Sequence, residues 1–104
     1  LALFFWHPKR VSQIGALETE IYPVPGDVLH VATSRDFHAR SDVAIIHELL
    51  SQRGYESHFL QQIIRPTGVI YRFEVLRSAA SIAIPRSLSD RFWVMSIERP
   101  YVSA

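Results

Sequence analysis

The sequence predicts a small α+β domain: a curved antiparallel sheet or open barrel, with one amphipathic helix at about residues 42–53 packed on it. Three observations carry this. Apolar and polar residues alternate in several short runs, most clearly where Val69, Tyr71, Phe73 and Val75 point one way and Ile70, Arg72, Glu74 and Leu76 the other. Pro and Gly stand singly between these runs as turn punctuation, and tight turns make neighbouring strands mostly antiparallel. One stretch alone has a convincing helical stripe: Val43, Ile46, Leu49 and Leu50, with Ile45 beside it. With 104 residues the chain is one domain, 1–104. A chain of that length can bury about two-thirds of its surface, enough for a core without staples.

Taken in order, residues 1–7 are apolar and aromatic and read as a first strand closed by Pro8. Residues 8–16 read as a loop or short turn. Residues 17–24 alternate as a half-buried strand, with Leu17, Thr19 and Ile21 on one side. Pro23 to Asp27 is the strongest turn signal, because Pro fixes φ and Gly supplies a positive φ. Residues 28–33 then read as the return strand of a hairpin. A polar connection leads to the helix, where Ser41 can cap a free N–H and Asp42 complements the positive end of the dipole. Gly54 sits where a left-handed glycine ends a helix. Pro66 and Thr67 separate two further strands, 58–65 and 68–77, as a second hairpin. Residues 80–84 form a short apolar run stopped by Pro85, and residues 87–90 a turn. Residues 92–98 form the last strand, with Trp93, Met95 and Ile97 expected on one face.

Composition excludes several function classes. There is no cysteine, so disulfides, zinc ribbons and thiol nucleophiles are out. The net charge of +1 is no nucleic-acid footprint, although residues 65–104 hold six arginines against three acids. The five histidines, His7, His30, His38, His47 and His58, have no ligand spacing, and His47-Glu48 lacks the second histidine of a zinc-protease helix at Ser51. Ser51 lies one helical turn from His47, but no nucleophile elbow or Gly-rich phosphate loop exists. No cofactor is expected, and catalysis by this chain alone is not. The first six apolar residues fall short of the roughly 20 that span a bilayer, so no membrane span is expected within the chain. A first residue other than Met reads as a processed product or a fragment of a longer chain.

Residues 46–54, Ile-His-Glu-Leu-Leu-Ser-Gln-Arg-Gly, resemble the first helix of double-stranded-RNA-binding domains, and Tyr71-Arg-Phe-Glu-Val its second strand. The resemblance covers about a third of the chain. The basic second-helix motif of that family has no counterpart here, since residues 78–90 contain no lysine.

Two functional readings follow. The first is a non-catalytic interaction or structural module, docking in a larger protein assembly or on its own copy through a sheet edge. Phe4, Trp6, Trp93 and Met95 are its expected interface residues, because aromatics and Met are enriched in interface cores and terminal strands expose unpaired backbone. The second is an RNA or single-stranded nucleic-acid-binding domain that needs Arg65, Arg72, Arg77, Arg86 and Arg91 on one face.

Overall fold

The structure is a computed structural model that describes residues 10–13, 19–33, 39–78 and 83–99. Among these residues the chain forms β1 (Arg10–Gln13), β2 (Glu20–Ile21), β3 (Val28–Thr33), α1 (Ala39–Gln52), β4 (Tyr55–Arg65), β5 (Gly68–Ser78), β6 (Ile84–Pro85) and β7 (Phe92–Arg99). Five strands make one antiparallel sheet in the order β1-β7-β3-β5-β4, and β2 pairs with β6. The α+β class with a curved antiparallel sheet and one packed helix is what the periodicities imply. The expected first strand, 1–7, lies outside the described residues, and with it Phe4 and Trp6.

The helix stripe meets the sheet as its spacing demands. Ile46 and Leu50 are fully buried in one cluster with Leu29, Val31, Val69, Tyr71, Phe73, Val75, Phe92 and Val94, and Val43 and Leu49 pack partly buried against it. Tyr71 and Phe73 are therefore core under the helix, and Phe59 tilts against both rings at 6.4 and 5.5 Å between centroids. The helix starts at Ala39, earlier than expected, so Ser41 and Asp42 both fall in its first turn. It ends where expected: Gly54 has φ 85° and donates to the Ser51 carbonyl at 2.9 Å. Arg53 Nη1 then donates to the orphaned Leu49 carbonyl at 2.9 Å.

Three expectations are corrected. Residues 10–13, read as loop, form β1, because the free edge of β7 from Ser96 to Arg99 offers ladder partners that four residues without a periodic signal can take. The strand expected over 17–24 is regular only at Glu20–Ile21, and β3 does not return along it. The turn itself explains this. Gly26, at φ 95°, donates to the Val75 carbonyl at 2.8 Å, and Val75 N–H donates back to Asp27 at 2.8 Å. The turn is thereby joined to β5, and β3 runs into the middle of the sheet, where all its residues but His30 are buried. Asp27 is buried, and its carboxylate accepts three hydrogen bonds: from its own turn at Val24 N–H (2.9 Å), and from Arg99 Nε and Nη2 (2.9 and 2.7 Å). That forked contact ties the turn to the end of β7.

The third correction concerns faces. Leu29 pairs with Ile97 and Val31 with Val94, so three β7 steps match two β3 steps and Met95 is the extra residue of a bulge. The bulge sends Ile97 to the helix side and leaves Trp93, 37% exposed, on the opposite side. Trp93, Met95 and Ile97 do not share a face.

Candidate interaction surface

The side of the sheet away from the helix is built in rows by the register, and Val28, Ala32, Ile70 and Ser96 on it are buried. One row runs Gln61, Arg72, His30, Ser96, and the next Ile63, Ile70, Ala32, Trp93. In the first row Arg72 Nη2 donates to Glu98 Oε1 at 2.6 Å and Arg72 Nη1 to Gln61 Oε1 at 2.8 Å, while His30 Nε2 lies 3.3 Å from the same Glu98 oxygen. Burial pushes the Glu98 carboxyl up, but the hydrogen bonds from Arg72 and His30 together with their charges outweigh it and hold the group below its usual range. The polar row is thus an internally satisfied network. The second row is apolar and ends at β4, the last strand of the sheet.

β4 is the eleven-residue edge. Its hairpin loop is Pro66-Thr67, so the closing pair Arg65–Gly68 is hydrogen-bonded. By alternation Ile63 bonds inward to Ile70, and Gln62 and Ile64 turn their N–H and C=O groups away from β5. Among the described residues no strand takes them. A bulge at Leu60, between Phe59 and Gln61, limits the regular edge to residues 61–65. Ile64 is 62% exposed and Leu60 39%.

The expected interface residues are placed unequally. Trp93 is 37% exposed on the side away from the helix and Met95 is half-buried in the bulge, but β7 is an inner strand, paired with β3 on one side and β1 on the other. Of the expected arginines, Arg72 stands in the polar row. Arg77 pairs with Glu56 at 2.8 Å, and Arg86 Nε donates to the Val94 carbonyl at 3.1 Å. Arg91 reaches Asp42 at 3.2 Å on the helix side and lies 4.8 Å over the Phe92 ring. Arg65 sits at the hairpin end of β4. The five are spread over both sides of the sheet and four hold protein partners.

A cavity of about 330 Å³ opens at the end of α1, lined by His47, Ser51, Gly54, Tyr55 and Glu56. Both Ser51 and His47 are exposed, and Glu56 holds Arg77, so no oriented nucleophile–base pair forms there. Among the described residues no group of three His, Asp or Glu could hold a metal, and no helix is long and apolar enough to cross a membrane. The sequence reading missed Gln62, Ile63 and Ile64: their apolar and amide side chains look ordinary, and only strand order makes them an edge. No family model, curated protein or solved structure matches the chain.

Proposed function

We propose that the chain is a non-catalytic interaction module that docks in a protein assembly through the β4 edge of its sheet. The observation that carries this is the outward-facing backbone of Gln62 and Ile64, Ile64 being the most exposed large hydrophobe among the described residues. Unpaired ladder groups give affinity to an added strand, and alternate side chains give it specificity. The internal partners of Arg72, Arg77, Arg86 and Arg91 favour this reading over the nucleic-acid one, which needs their guanidinium groups on one face for phosphate.

A displayed library of random extended peptides, selected against the immobilised chain at dilution, tests it. Selected peptides should lose binding to Gln62→Pro and Ile64→Lys, because the first removes an outward N–H and the second charges the edge. Peptides that bind both variants unchanged, or a selection that yields none, would refute edge docking.

A further inference from the structure

We infer that the strand received by β4 is the β4 of a second copy, antiparallel, with the two-fold axis at Ile63; this rests on the edge-docking reading. Three features select that occupant and register. Gln62 and Ile64 both point their backbone groups outward, so a two-fold at Ile63 opposes Gln62 with the partner copy's Ile64 position in a pair that exchanges both hydrogen bonds. Moving the axis one residue toward the hairpin opposes Gln62 with Pro66, which has no N–H to give. Moving it one residue the other way opposes Ile64 with Leu60, the bulged residue. Only the Ile63 axis uses regular strand throughout.

The side chains agree with that register. Ile63 closes the apolar row Trp93, Ala32, Ile70, Ile63 on the side away from the helix, where Ala32 and Ile70 are buried, and the axis places it against its own copy, so the row continues across the joint. On the helix side Ile64, 62% exposed, comes to lie beside the copy of Gln62. The only formal charge on residues 61–65, Arg65, opposes Gln61, so no like charges meet. The assembly is one continuous sheet with both helices on the same side.

The absence of cysteine makes the register directly readable. At a two-fold, non-hydrogen-bonded pair the two Cα atoms sit about 4.5 Å apart, within disulfide range. Ile63→Cys should therefore form a covalent dimer under mild oxidation. Leu60→Cys, three residues from the axis, places its copies about 20 Å apart and should not. Sedimentation of the unaltered chain over a concentration series should show a dimer that Gln62→Pro and Ile64→Lys each abolish. A strictly monomeric chain, a Leu60→Cys dimer that forms as readily as the Ile63→Cys one, or a dimer that survives both edge variants would overturn the self-pairing. The peptide selection on the edge stands apart from these outcomes: foreign strands can bind a monomer through β4, in which case edge docking holds and only the second copy is wrong.

Discussion

Tyr71 Oη donates to Asp42 Oδ2 across 2.7 Å inside the core, joining the middle of β5 to the first turn of α1. Both residues are fully buried, and Arg91 completes the group from the segment before β7. A buried carboxylate is tolerated only with such partners. Tyr71→Phe keeps the ring packing and removes the donor, so it should destabilise the fold by about 1–3 kcal/mol in urea melting. A loss near zero would show that Arg91 alone suffices for Asp42.

The same contact sets the alkaline limit. Burial, and then the hydrogen bond to Asp42, push the Tyr71 phenol above its ordinary value of 10.0. A group whose folded pKa is raised contributes stability that is complete below the unfolded value and lost as pH rises past it. Stability should therefore fall above about pH 10, and Tyr71→Phe should flatten that fall relative to the unaltered chain. Equal slopes in pH-dependent melting would remove Tyr71 from the cause.

Glu98 sets a matching dependence in acid. Its carboxyl is held below 4.5 by Arg72 and His30 against the opposing effect of burial. The stability it contributes is present above that unfolded value and lost as pH falls through the lower folded one. Glu98→Gln should melt with a weaker dependence on pH below about 4.5 than the unaltered chain. An identical acid profile would contradict the pairing seen in the polar row.

Helix packing was legible in the sequence because its two periods are independent signals. Leu50→Ala should cost about 2–5 kcal/mol in denaturant melting, since Leu50 is fully buried, and Leu49→Ala less, since Leu49 is only partly covered. Gly54 was legible for the same reason: a glycine directly after the stripe has one use there. The strand partners were not legible. The hairpin expected between residues 17–24 and 28–33 fails because Gly26 and Asp27 bond to Val75, a residue 48 positions or more away in sequence that no local pattern announces. The docking edge was hidden likewise, since Gln62 and Ile64 become outward-facing only through the pairing of Arg65 with Gly68 and the place of β4 in the strand order.

The face error in β7 has the most specific consequence. Strict alternation puts Trp93, Met95 and Ile97 together, and the sequence carries nothing to announce an extra residue. In the structure Val31 opposes Val94 and His30 opposes Ser96, so Met95 has no β3 partner. Deleting Met95 leaves each of those pairs in place: Phe92, Val94 and Ile97 still face the helix, and Trp93, Ser96 and Glu98 the opposite side. The variant should fold with an ordinary loss of about 0.5–3 kcal/mol, and it should keep the acid dependence due to Glu98. Deleting Val31 is the contrast. It sits in unbroken register with Tyr71, and its removal turns half of β3 to the wrong face, so that variant should not fold. Circular dichroism and urea melting of the two deletions decide the matter. A Met95 deletion as damaging as the Val31 deletion would mean that β7 does not carry its extra residue there.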